Sequence, residues 1–381
     1  FNVVHTCISD FDCSLNGKCD VKNQVCQCDV SWTGSPECDV LAILPTSHRY
    51  GYHNISSGVG ASWGGNILYA ENQYHLFVAE MVNNCTLNDF MSASSIIRAV
   101  SQNPEGPYSF VETVIPVFAH NPTIRRTNDG TYLLFMIGDG TIPSPPPHCD
   151  SENKSNDNYP RLLYNTGDPG PSIHVATSQS INGPWTVHPS LNFTNWNSSA
   201  TLDCDYSNPS PLLLSNGSIM LAFTAGYCHS GKEFIGVAIA DHFLGPYRLT
   251  SDQPILPTPW YCVAGFGEDA FLWQDIRGSF HILYHGMCYA PFDAKHAFSV
   301  DGINWKLSKN DPYSYLVEYI DGDSNLSSIS SQTLYIRMER PQLIFNETNQ
   351  APILIVNGVC ENLQCLNKPG KTWTLIRPIR H

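Results

Sequence analysis

From residue 63 onward the chain repeats one phrase. An apolar run, a polar turn and a second apolar run are followed by a Gly-Pro-aromatic or Trp phrase. The first unit runs from Trp63 through Asn66-Ile67-Leu68-Tyr69 and Tyr74–Glu80 to Gly106-Pro107-Tyr108. Later units open at His120-Asn121-Pro122, Asn208-Pro209, Gly267-Glu268-Asp269 and Glu339-Arg340-Pro341. Apolar runs this short, cut by Gly and Asn turns, read as strands joined in hairpins. The units recur about every 60 residues with some four strands each, the content of one propeller blade. The expectation is an all-β fold, a five-bladed β-propeller over residues 63–381. Insertions at 82–94 and 139–170 fall between second and third strands and should crowd one face of the disc. Trp273 and Trp305 read as core.

Antiparallel pairing places the start of each first strand beside the end of its second. One funnel should therefore gather Trp63, His120, Asn121, Asn208, Glu268, Asp269, Glu339 and Arg340 from first strands. Glu80, Asp139, His285 and Asn357 should join them from second strands, with Asp205 just before Asn208. The lining is polar and aromatic and short of Lys, which suits sugar hydroxyls and sugar faces. Glu268 is the favoured general acid, with Phe266 and Phe271 expected to desolvate it and raise its pKa. Asp269, Glu339 and Glu80 are the candidate bases. Neighbouring strand residues alternate faces, so only one of Glu268 and Asp269 should face the axis. In that case Asp269 is a backbone cap or an Arg partner. Simpler readings stand beside these: Glu339–Arg340 as a structural ion pair, His281 and His285 as packed hydrogen-bonding side chains, and the Asn-Pro openings as strand starts.

The first 40 residues do not follow this pattern. They hold Cys7, Cys13, Cys19, Cys26, Cys28 and Cys38, and so short a segment needs crosslinks in place of a core. Residues 41–62 read as a linker. The whole chain has 381 residues, 14 Cys and a net charge of −14. Cysteine at that density points to an oxidising compartment. Asn-x-Ser/Thr sequons at Asn54, Asn84, Asn153, Asn192, Asn197, Asn216, Asn325 and Asn346 agree, and a secreted glycoprotein is expected. The acidic balance disfavours nucleic acid and anionic membrane, and no apolar run is long enough to span a bilayer. It suits cations such as Ca²⁺, but no Asp-x-Asp-x-Asp loop is present, so no metal or other cofactor is expected. Among the remaining cysteines, Cys360 and Cys365 are close enough for a local bridge. Cys204 with Cys228 and Cys262 with Cys288 occupy matching places in two units, which leaves Cys85 for Cys149. The connectivity stays open at this level.

The spacing C-x5-C-x5-C-x6-C-x-C-x9-C, with Gly17 and the Trp32-Thr33-Gly34 turn, closely resembles an epidermal-growth-factor-like module. That resemblance implies pairs Cys7–Cys19, Cys13–Cys26 and Cys28–Cys38, and a spacer role. Residues 63–381 resemble the five-bladed propeller glycosidases of the glycoside hydrolase family 43 type. Asp129-Gly130-Thr131-Tyr132-Leu133 and Gly278-Ser279-Phe280-His281-Ile282 are similar to the hairpins of those enzymes, and Glu268 opens its hairpin as their general-acid Glu does. The resemblance implies two further acids, but the first unit opens Ser62-Trp63-Gly64 and the third Ser207-Asn208. An amide takes no proton at neutral pH. Two function classes follow: a glycosidase or sugar lyase with a rearranged acid set, or a non-catalytic glycan-binding or structural subunit of an extracellular coat, fibre or adhesion layer. Carbohydrate is the partner in the first, and other extracellular proteins or copies of this chain join it in the second.

Overall fold

The computed structural model describes residues 6–52, 61–141, 149, 172–194, 204–226, 233–251, 253–256, 267–288, 293–320, 329–362, 365 and 371–381, the side chains of 204 and 205 excepted. Among them the chain is almost wholly β, with one short α-helix at Phe90–Ala93. Five sheets begin with the long strands Ala61–Ala70, His120–Arg126, Cys204–Leu213, Gly267–Gln274 and Arg337–Phe345. Each of these strands hairpins into a second, and the second pairs with a third. The five first strands touch one another in chain order, and the last touches the first, so they enclose a common axis. Their second strands are buried along their length, as in Tyr132–Ile137, Ile219–Gly226 and Phe280–Gly286.

Every first strand carries the same irregularity near its start. Gly64-Gly65, Asn121-Pro122, Asn208-Pro209, Asp269-Ala270 and Arg340-Pro341 each place two residues opposite one on the partner strand. The first residue of each pair is left-handed, with φ of 62°, 52°, 52°, 61° and 53°. This is a β-bulge. Gly, Asn and Asp tolerate that conformation, and Pro in the second place donates nothing to the ladder. The Asn-Pro pairs therefore mark bulges rather than simple strand starts.

Residues 41–52 of the segment expected to be a linker are built into the fold. Thr46–Ser47 pairs in parallel with Tyr319–Ile320, and Ile43 and Tyr52 bridge to Ile379 and Thr374 beside the last sheet. Leu41 and Tyr52 are buried. The Cys-rich segment packs tightly as well. Trp32, Cys13, Cys38 and Leu41 share one apolar cluster with Trp273, Tyr313 and Ile355. The hairpin of Leu316–Ile320 and Ile329–Leu334 was not expected. The buried alternation Tyr313, Tyr315, Val317, Tyr319 was its available signal.

Disulfides join Cys7–Cys19, Cys13–Cys26, Cys28–Cys38, Cys85–Cys149 and Cys360–Cys365. Cys288 is also disulfide-bonded. The expectations for Cys204, Cys228 and Cys262, and those for Asn54, Asn153, Asn197, Asn325 and Phe266, fall outside the described residues or side chains. Asn84, Asn192, Asn216 and Asn346 are described, and Asn192 and Asn216 lie on the surface.

Candidate functional site

The bulged ends of the first strands surround a cleft of about 190 Å³. Its lining includes Glu233, Glu268, Asp269, Glu339 and Arg337, which form an acidic wall, together with Trp63, Phe90, Asn88, His120 and Asn208. Asn88 and Phe90 come from the insertion after the first hairpin, which the Cys85–Cys149 bridge ties to the next one. A capping interaction of Thr86 Oγ1 with Asp89 Oδ2 at 2.7 Å shapes its first turn.

His285 is the centre of the acidic wall. It lies opposite Glu268 in the hairpin register. Its Nδ1 is 3.2 Å from Glu268 Oε1, and its Nε2 is 3.7 Å from Glu339 Oε1. Burial works to lower its pKa, but Glu339, Glu268 and Asp269 together raise it to about 9. The ring is therefore an imidazolium at neutral pH, held between two carboxyl groups. Burial likewise works to raise Glu268, yet the His285 hydrogen bond and charge outweigh it and hold that carboxyl below its usual range. Glu339 moves the other way: burial raises it against His285 and Arg337. Arg337 Nη1 donates to Glu339 Oε1 at 3.2 Å.

Asp269 and Arg340 lie deeper, at the axis. The Arg340 backbone N–H donates to Asp269 Oδ2 at 3.2 Å, and Nη1 lies 3.4 Å from Oδ1. Arg340 Nη2 reaches the carbonyl of Asn121 at 2.9 Å, and Asn121 Nδ2 donates to Asn208 Oδ1 at 2.5 Å. The left-handed residues thus join across the axis through their side chains. Burial and the charge of Glu268 push Asp269 up to about 7 against the pull of Arg340.

The structure gathers Trp63, His120, Asn121, Asn208, Glu268, Asp269, Glu339, His285 and Arg340 at this end, and it corrects several details. Glu80 does not line the cleft. It faces Tyr52, whose hydroxyl donates to its Oε2 at 2.6 Å. The side chain of Asp205 is outside the described set. Phe271 does not desolvate Glu268, because the bulge intervenes and turns Phe271 toward Trp273 and Phe345. Glu268 is accordingly a carboxylate rather than a poised acid. Glu339 and Arg340 do not pair with each other; Glu339 takes Arg337 and His285, and Arg340 takes Asp269. His120 is neutral, lowered to about 3 by burial and Arg340, with Nδ1 at 2.6 Å from Ser94 Oγ. His281 stacks on Trp273 away from the cleft, in a packing role.

Glu233, Arg337 and Phe90 were missed. They come from a third strand, from the first residue of the last sheet's first strand and from an insertion, where the hairpin repeat gives no positional signal. Glu268, Asp269, His285 and Glu339 place donor atoms within 4.8 Å of one another, a spacing a metal ion could use. His285, Arg337 and Arg340 already supply cations to these acids.

In fold the chain is similar to propellers of solved glycoside hydrolases. A family 117 glycoside hydrolase from the marine bacterium Zobellia galactanivorans superposes with a TM-score of 0.56 at 14% identity, covering 89% of each chain. A thermostable family 43 glycoside hydrolase gives 0.55 at 13% identity, covering 87% of this chain and 92% of that one. A family 43 β-1,3-galactosidase solved with galactodeoxynojirimycin gives 0.52 at 10% identity, covering 84% and 90%. No family model matches the sequence, and no curated protein matches it.

Proposed function

We propose that this chain is a secreted glycoprotein that binds one terminal sugar unit of a glycan in the cleft of a five-bladed propeller. The five hairpin sheets are its blades, and the Cys-rich segment is an epidermal-growth-factor-like module docked on its side. The carrying observation is the distribution of acids around the cleft. Glu268, Asp269 and Glu339 cluster in the lining with Glu233 beside Glu268, and the other described lining residues include aromatic rings, amides and a neutral imidazole. Carboxylates accept from sugar hydroxyls, and Trp63 and Phe90 offer apolar faces. The volume of about 190 Å³ is below the roughly 300–1,000 Å³ of a drug-sized site, which favours a single ring.

Inverting hydrolysis needs carboxyl groups roughly 6.5–9.5 Å apart, with water between them. Glu268 and Glu339 place oxygens within 4.8 Å of each other, on one wall. Binding without inverting turnover is the reading this spacing supports. A second reading has its own observation. Glu268 is held low while Glu339 is raised, the split expected of a nucleophile and an acid in a retaining glycosidase.

A glycan array run beside a panel of aryl glycosides tests both readings. The expected result is saturable binding of glycans that share one terminal sugar, no turnover, and at least tenfold weaker binding by Glu268→Gln. Turnover of any aryl glycoside that Glu268→Gln abolishes would replace the binding reading with the second. Neither binding nor turnover across both panels would refute the carbohydrate assignment.

A further inference from the structure

The first strands enclose a second concavity, of about 590 Å³, at their hairpin-turn ends. Its wall includes the rings of Phe271, Trp273 and Phe345, with centroids 5.7 to 6.2 Å apart. Glu347, Thr348 and Gln350 form part of its rim. Arg125 also lines it, with its guanidinium carbon 5.7 Å from the centroid of Phe271. Nε donates to the carbonyl of Pro211 at 2.9 Å, and Nη1 donates to Asn66 Oδ1 and the carbonyl of Ile124 at 3.1 and 2.9 Å. Nη2 has no protein acceptor among the described residues. Burial lowers Arg125 to about 10, with no neighbouring carboxylate to offset that cost. Gln342 repeats the imbalance. Its Oε1 accepts from Asn66 Nδ2 at 3.0 Å, and its buried Nε2 finds no acceptor.

Two donors without acceptors thus flank Asn66, and one of them carries a charge. Arg125 is half-buried in the lining of this concavity and has no carboxylate paired to it among the described residues, while Gln342 is fully buried. At the other end of the axis Arg340 has Asp269 beside it. At this end the protein supplies no such partner.

We propose that this second mouth binds a sugar-sized ligand carrying an anionic group, a carboxylate or a sulfate. The anion sits on Arg125, and the ring lies against Phe345, the partly exposed member of the aromatic wall. The shared chemistry is a planar or tetrahedral oxyanion on a hydroxylated ring: guanidinium matches the oxyanion, and aromatic faces match the ring. The site stands apart from the sugar-binding cleft and does not depend on it.

Titration calorimetry and thermal melts test this on the chain made in a secretory host, with glucuronate, glucose 6-sulfate, inorganic sulfate and glucose as probes. One or both charged sugars should bind saturably and raise the melting temperature, and whichever binds identifies the oxyanion. Glucose should give no response. Arg125→Gln should weaken binding at least tenfold. Glu347→Lys, a change of an exposed rim residue, should tighten it severalfold at low salt. Glu268→Gln should leave it unchanged. The proposal is overturned if glucose or inorganic sulfate does as well as the charged sugars, or if neither charged sugar binds up to about 10 mM. It also falls if Glu347→Lys and Arg125→Gln leave binding unaltered. Should Arg125→Gln not fold, Glu347→Lys decides alone.

Discussion

His285 sets the chemistry of the acidic wall, because it decides which neighbouring carboxyl is charged. Its pKa rises from 6.5 to about 9 in the folded protein. A folded pKa above the unfolded one means that the native state holds the proton more tightly. The resulting stability is fully present below about pH 6.5 and is lost as pH rises through 9. His285→Gln should therefore cost most at pH 6, by up to about 3 kcal/mol, and least above pH 9. Urea titrations of both proteins from pH 6 to 10 check this, and a pH-independent difference would show that the ring is not the cation. Asp269→Asn belongs to the same scale. It leaves Arg340, 1% exposed, without its counter-charge, and should cost about 3 kcal/mol at pH 8. The order of pKa values at Glu268 and Glu339 was not legible from the sequence. It depends on an imidazole from another strand and on Arg337, which pair only after the hairpins close.

At the scale of elements, the hairpins were legible and the bulges were not. Paired apolar runs, Gly turns and Gly-Pro-aromatic phrases located the first and second strands of all five sheets. Glu268 and Asp269 would face opposite sides only on a strand with an unbroken period of two. A bulge adds one residue and turns the following side chains to the other face. That is why Phe271 sits beside Trp273 at the far mouth and not against Glu268. The signal was present as Asn-Pro, Asn-Pro and Arg-Pro at matching places, yet a Pro at a strand's start has an ordinary explanation of its own. The left-handed residue is the testable part. Asn208 has φ of 52° and accepts from Asn121. Asn208→Gly keeps the conformation and loses one hydrogen bond, at a cost of about 1 kcal/mol. Asn208→Val loses the bond and also forces a β-branched residue left-handed, so it should cost about 2 kcal/mol more. Denaturation midpoints that rank Val equal to Gly would remove the bulge from its place in the argument.

Across the whole molecule, the Cys-rich segment shares a core with the sheets it was expected merely to precede. Trp32, 3% exposed, stacks 6.4 Å from Trp273 and lies 5.0 Å from His296. Around it, Ser31 Oγ donates to the carbonyl of Pro352 at 3.0 Å, and the Asn310 N–H donates to Asp39 at 2.8 Å. Arg277 reaches Asp29 at 2.6 Å and the carbonyl of Leu15 at 2.7 Å. An independent spacer would melt separately, since its own disulfides and not its neighbours would hold it. A shared core instead predicts one calorimetric transition for the whole chain. Trp32→Ala should lower that transition by the equivalent of about 3–5 kcal/mol, or split it in two, because it empties the centre of the contact. Arg277→Ala should cost under about 1 kcal/mol, since Asp29 is largely exposed and solvent screens the pair. Calorimetry of the three proteins, with limited proteolysis at residues 41–52, separates the cases. Two transitions in the wild type, or a Trp32→Ala protein that melts and resists protease like its parent, would return the segment to the role of a tethered spacer.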